Sequence, residues 1–329
     1  MTSSPARLAG APRLRVIVGP TASGKERLAM ACAALADGEI VSVDSMKVYR
    51  RLEIATAKPS PDDLAWVRHH CLDLADPEVS FSAADFAAAA DQAIRDILAR
   101  GKIPFLSGGT AFYYMALLAG LFEGPGADRE LRRRLEARAE REGSEALHGE
   151  LEKMDSAAAA KIHPSDRRRL VRALEVAILT GAGISVRQTQ WPGFHARDRA
   201  PSALLEKPRH PLAMVRLIRS RDDLRGRIRR RVARMAEKGL REEAAWVFEN
   251  RDRLSRTPLQ AVGYKEFFPF FQGLASWEEA LERLRLATNR LVRGQETWFR
   301  KFPTLEVPLP PDADLEETAK RLLDSVFQV

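Results

Sequence analysis

The stretch GPTASGKE at residues 19–26 sets Gly19, Gly24 and Lys25 at the spacing of a loop that cradles phosphate. In such a loop backbone N–H groups and a helix N-terminus converge on anionic oxygens, and the lysine adds a full positive charge. The eighth position, which needs a Ser or Thr hydroxyl for magnesium, holds Glu26. The stretch therefore reads as a working phosphate site with an altered metal contact, as a decayed one, or as an ordinary glycine-rich turn. Asp44 closes the apolar run VSVD and is a candidate base or metal partner, or a cap for the turn that follows. In SGGTAFYY, Gly108 and Gly109 end another apolar run before Thr110, which suits either a second wall of a site or close packing of helix on sheet.

These residues need a scaffold that brings them together. RLRVIVG (13–19), EIVSVD (39–44), HHCLDL (69–74) and KIPFLSGG (102–109) read as strands, and a helical pattern runs from Lys25 to Leu35. In FSAADFAAAADQAIRDILARG the apolar positions Phe86, Ala90, Ile94 and Leu98 recur at helical spacing behind the capping residue Ser82. Strands alternating with helices predict a parallel sheet covered on both faces, an α/β fold of the phosphate-loop NTPase type. Ligands then gather at the carboxyl ends of the strands, where the glycine loop, Asp44 and the Gly108–Thr110 turn all fall. From Arg129 to Thr180 the pattern turns wholly helical, and GFHARDRAPSALLEKPRH (193–210) reads as a linker. PLAMVRLI (211–218) returns to the sheet, with basic helices from there to the end. The division expected is a core of residues 13–123 and 208–329 interrupted by a helical insertion of 124–207. The first dozen residues read as a frayed tail rather than a targeting segment.

The 329 residues hold 45% hydrophobic and 30% charged side chains, a globular balance, and no run of about 18 apolar residues that could span a membrane. The two cysteines, Cys32 and Cys71, lie in apolar surroundings and suit a reducing cytoplasm; with no C-x-x-C and no H-x-x-x-H pair, a zinc site is not expected. The net charge of +8 is concentrated: Arg216–Arg241 carries eleven basic residues against three acids, and RRRLVR at 167–172 adds a cluster. Clustered guanidinium groups are the footprint of a polyanion partner, though a solvated helix face gives the same pattern.

Taken together, GPTASGK, VDSMKVYRRLEIATAKPS, RHHCLDL, FSAADF, SGGTAFYYMALL, RALEVAILTG, AVGYKEF and QETWFRKF occur in the order and spacing of the tRNA dimethylallyltransferases, also called isopentenyl-tRNA transferases. The chain resembles that family from about residue 14 to 302, and the combination of DSM-x-VYR, TAKPS, GYKE and TWFR is specific to it. The resemblance implies transfer of the dimethylallyl group of dimethylallyl diphosphate to the N6 amine of the adenosine beside the anticodon. Residues Gly19, Pro20, Thr21, Ala22, Ser23, Gly24, Lys25 and Glu26 would then hold a diphosphate leaving group. It implies Asp44 as general base, Thr21 near the bridging oxygen, and Lys25 with Arg221 neutralising charge on the diphosphate. Magnesium is the implied cofactor, with Glu26 as its candidate ligand.

The resemblance also places Asp44, Ser45, Met46, Lys47, Thr110, Arg132, Arg168, Arg169, Leu170, Val171, Arg172, Gly263, Tyr264 and Lys265 near a tRNA anticodon stem-loop, with Arg290, Arg293 and Trp298 along or behind the stem. A cytoplasmic monomer of bacterial type is expected. The chain departs from the family pattern at five positions: Glu26 replaces Thr, Lys47 replaces Gln, Ala55 replaces Gly, and Asn289 and Gly294 replace arginines. Two other readings stand beside transfer: a small-molecule kinase using the same loop, and a tRNA-binding relative whose catalytic site has decayed.

Overall fold

A computed structural model of the chain describes residues 13–121, 124–187, 205 and 207–329. These separate into two compact units, one built from the residues up to Leu118 together with Pro208–Val329, the other from Ala119–Lys207. The expected frayed tail and most of the expected linker lie outside the described residues.

The first unit is organised on a parallel sheet of β1 (Leu14–Val18), β2 (Gly38–Ser42), β3 (His69–His70), β4 (Ile103–Gly108), β5 (Leu212–Ile218) and β6 (Leu305–Pro308), in the order β3-β2-β4-β1-β5-β6. It is the α/β architecture expected from the alternating pattern. Side chains alternate across a strand, so each strand feeds both faces. Ile17, Ile40, Phe105, Val215 and Val307 pack under the helices Lys25–Leu35 and Leu315–Leu322. Their neighbours Val16, Val18, Val41 and Leu106 are equally buried on the opposite face.

Two departures from the sequence reading affect the edges of the sheet. The third strand stops at His70, because Cys71 and Asp73 turn the chain through positive φ of 62° and 53°. The last strand, β6, falls where only helix was expected; it is four residues long and three of them are exposed, so its periodicity is too short to read.

The carboxyl ends of β2 and β4 are welded by hydrogen bonds. Val43 N–H donates to Ser107 O (2.8 Å), Thr110 N–H to Val43 O (3.2 Å), and Ser45 N–H to Thr110 Oγ1 (3.0 Å). A Cβ on Gly108 would overlap the Val43 carbonyl, so only glycine lets β4 approach the segment that carries Asp44. Gly108→Ala is expected to cost about 3 kcal/mol, the upper end of the range for core overpacking, because backbone rather than a flexible side chain must yield. A drop in the urea midpoint at unchanged slope would show it; an unshifted midpoint would mean that the two loops are not tightly joined.

The second unit is helical: Arg129–Glu142, Ser144–Met154 and Arg167–Thr180 pack through Leu135, Leu147, Leu151, Leu170, Val171 and Leu174. The buried carboxylate of Glu175 accepts two hydrogen bonds from Arg132 (both 2.8 Å), one from Arg172 (2.5 Å) and one from Asp128 N–H (2.8 Å). Burial alone would raise the Glu175 pKa, but these donors hold the carboxyl below its ordinary range.

Candidate active site

The glycine loop follows β1 directly and opens the helix Lys25–Leu35, the strand–loop–helix context that an anion cradle needs. Ala22 (φ 67°) and Gly24 (φ 93°) take left-handed conformations that curl the backbone, and such curls turn successive N–H groups inward. Ser23 is fully buried against Gly19, where any larger residue would strike its hydroxyl. From outside, the loop is braced by two guanidinium groups: Arg219 donates to Ser23 O (2.6 Å) and Arg227 to Ala22 O (2.7 Å).

Lys25 donates to Pro20 O (3.3 Å), folding over its own loop. Burial pushes its pKa down to about 8, against the pull of the Glu26 and Asp44 carboxylates; Lys47 and Arg231 push the same way as burial. This lysine and Asp44 therefore share one electrostatic neighbourhood. The Gly109 position is also close, since a Cβ there would come within 3.9 Å of the Lys25 ammonium. Asp44 does cap the following turn: its Oδ1 accepts from Met46 N–H (2.9 Å) and Lys47 N–H (3.4 Å). Its Oδ2 has no hydrogen bond among the described residues. The capping and basic roles are thus compatible, one oxygen serving each.

Glu26 is ion-paired with Lys47 across the two loops, and the lysine side chain is only 7% exposed. Burial works to raise the Glu26 pKa, but the Lys47 and Lys25 ammoniums outweigh it and keep the carboxyl ionised. Magnesium does not fit this donor set as an ion held by the loop. Position 26 supplies no hydroxyl, and its carboxylate is already neutralised by a buried ammonium that a cation would have to displace or crowd.

A family model described as IPP transferase matches residues 47–302. The chain is 45% identical over 291 residues to a tRNA dimethylallyltransferase of Methylococcus capsulatus, covering 88% of this chain and 90% of that one. The chain belongs to the tRNA dimethylallyltransferase family. A second relative with that name, from Geobacter sulfurreducens, is 42% identical and covers 92% of this chain and 94% of its own length. The crystal structure of a tRNA isopentenylpyrophosphate transferase from Bacillus halodurans superposes with a TM-score of 0.66 at 36% identity, covering 95% of this chain and 94% of that one.

Several residues expected at this dimethylallyltransferase site face solvent or are taken up by contacts of their own. Arg221 is exposed at the first turn of the helix Arg221–Glu237 and has no hydrogen bond or ion pair among the described residues. Six residues at about 100° each put Arg227 roughly 120° around the helix from it, so Arg227 reaches the loop where Arg221 does not, joined by Arg231 on the same helix and by Arg219 just ahead of it. Arg231 is largely buried, and its guanidinium feels both Glu26 and Asp44. Leu170 and Val171 belong to the core of the helical unit and cannot offer side chains to RNA in this arrangement. Arg132 and Arg172 are committed to Glu175, so their visible role is to neutralise a buried charge. Arg168 is exposed, and Arg169 is exposed with a surface pair to Asp166.

Tyr264 is fully buried and donates to Glu243 (2.9 Å), which also accepts from the N–H groups of Glu53, Ile54 and Ala55. One carboxylate thereby pins the segment after Asp44 to the GYKE turn. Gly263 in that turn has φ 124° and leaves room for Ala55, whose Cβ a side chain at 263 would meet at 2.6 Å. Lys265, Arg290 and Arg293 are exposed. Trp298 is half-buried.

One residue carried by the TWFR-containing motif had no assigned role. Gln295, on the helix Trp277–Phe299, accepts from Thr21 N–H (2.8 Å) and donates to Gly109 O (3.0 Å). It bridges the phosphate loop to the glycine turn after β4. The motif singled out its position, but only the fold shows what it touches. Among the described residues no helix is long and apolar enough to cross a membrane.

Proposed function

We propose that this chain, acting as a monomer, transfers a dimethylallyl group from dimethylallyl diphosphate to the N6 amine of the adenosine 3′ to the anticodon in tRNA. The observation that carries the reading is the shared neighbourhood of a phosphate loop with its Lys25 and the Asp44 carboxylate. The loop amides, Lys25 and Arg231 would hold the diphosphate, and Thr21 would lie by the bridging oxygen. The amine nitrogen forms its bond to the allylic carbon as the carbon–oxygen bond breaks, the electron pair leaves with diphosphate, and Asp44 Oδ2 receives the N6 proton. Positive charge fixed at the departing oxygens is the largest source of acceleration for such a step, about 10²–10³-fold per donor by analogy with oxyanion sites.

The adenosine must leave its stack to reach this site, at a cost of a few kcal/mol. Ser45, Met46, Thr110, Gly263 and Lys265 border the segment that carries Asp44 or the turn pinned to it, and are proposed to receive the base. The exposed Arg168, Arg169, Arg290 and Arg293 supply phosphate contacts. Magnesium is proposed only as a counter-ion that the diphosphate donor would bring with it.

Incubation of the protein with dimethylallyl diphosphate and an anticodon stem-loop bearing the target adenosine should add one dimethylallyl mass to the RNA. ATP hydrolysis with no mass gain would favour the kinase reading. Salt-sensitive RNA binding with no diphosphate affinity would favour a decayed site. The neutralisation of Glu26 by a second departure, Lys47, supports a maintained site over a decayed one.

A further inference from the structure

The two departures at the phosphate site are not independent. Glu26 stands where the family has Thr and Lys47 where it has Gln, 21 residues apart on two different loops, yet their side chains form an ion pair. Each change alone would harm a diphosphate site. A carboxylate on the loop repels the anion, and a lysine at this depth without a counter-charge is costly to keep ionised. Together they cancel, and the pair keeps an ammonium beside the loop.

That ammonium has capacity to spare. A lysine offers three donors, and the bond to Glu26 is the one side-chain hydrogen bond Lys47 makes among the described residues. It is close enough to Lys25 to disfavour that residue's charged form. The groups facing Glu26 are Lys47, Lys25, Arg231 and the ring of His69, which burial inclines to the neutral form. The surroundings are therefore rich in fixed positive charge before any ligand arrives. An ammonium is a point charge well suited to phosphate oxygens.

We infer that Glu26 and Lys47 form one diphosphate-binding unit, in which the Lys47 ammonium, seated by Glu26, does the charge-neutralising work of a hydroxyl-held magnesium. The chain then grips an allylic diphosphate with little dependence on a divalent cation. This rests on the reading of the loop as a diphosphate site. It assigns to Lys47, expected only near the tRNA, a contact with the leaving group.

The test is binding of inorganic diphosphate, followed by titration calorimetry in chelator and in millimolar magnesium, for the wild type, Glu26→Thr, Lys47→Gln and the double variant. Wild-type affinity should change less than about threefold on removing magnesium, while the double variant, with the family's residues at both positions, should lose more than about tenfold. Lys47→Gln alone should bind worse than the double variant in chelator, since it leaves Glu26 facing the ligand uncompensated. Equal magnesium dependence of the wild type and the double variant would overturn the inference, as would single effects that simply multiply. If Lys47→Gln does not fold, the comparison of wild type with the double variant decides alone. Diphosphate binding with unchanged magnesium dependence sinks this inference only, whereas no binding by any of the four proteins at any magnesium level sinks the diphosphate reading with it.

Discussion

Asp44→Asn is expected to slow prenyl transfer by about 10²–10⁴-fold, the usual worth of a positioned general base, and to leave stem-loop affinity and its salt slope nearly untouched. The substitution suits the geometry. An amide oxygen can still accept from Met46 and Lys47 N–H, so the turn survives, while the atom proposed to receive the proton becomes a donor or an unreactive oxygen. Single-turnover transfer measured beside RNA binding separates the two roles. Transfer within about fivefold of the wild type would remove Asp44 from the base position, since that loss is below the range for general-base catalysis.

Lys25→Met should abolish diphosphate binding and yet make the unliganded protein more stable at neutral pH. Burial has lowered the Lys25 pKa from 10.5 to about 8, so holding its charge in the folded state opposes folding. Below pH 8 the lysine is protonated in both states and the penalty is fully present, at most about 3 kcal/mol for a shift of this size. Between pH 8 and 10.5 the unfolded chain binds the extra proton, so wild-type stability rises with pH; above 10.5 neither form is charged and the change is complete. The difference in unfolding free energy between wild type and Lys25→Met isolates this group from others that titrate in alkali. It should shrink across that window, and a flat difference would show that Lys25 is not strained by burial. Diphosphate affinity of the wild type should fall as pH rises past about 8, because the free enzyme loses the charge that the ligand needs. A site that stores unfavourable charge until its ligand arrives is an expected cost of function.

The fold was largely legible because its signals are local. The β-branched runs before Gly19 and Gly108, the capped helical pattern behind Ser82 and the change of texture after Leu121 each fall within a dozen residues. The phosphate loop was legible for the same reason, since its chemistry lies in one contiguous stretch. What failed was short or exposed: β6 has four residues, and Leu305 within it is 55% exposed, so no alternation marks it.

By itself the sequence determined the α/β class, the loop with Lys25, the candidate Asp44 and the family, since each depends on residue types in order along the chain. The tertiary structure decided which charges meet. It set Lys47 on Glu26, turned Arg227 and Arg231 rather than Arg221 toward the loop, spent Arg132 and Arg172 on Glu175, and laid Gln295 across two glycine turns. The physical reason is range: backbone preference acts over a few residues, whereas an ion pair or a long-range hydrogen bond depends on packing between segments far apart in the chain. A charge on a helix therefore declares its identity in the sequence, but its face and its partner only when the neighbouring elements are in place.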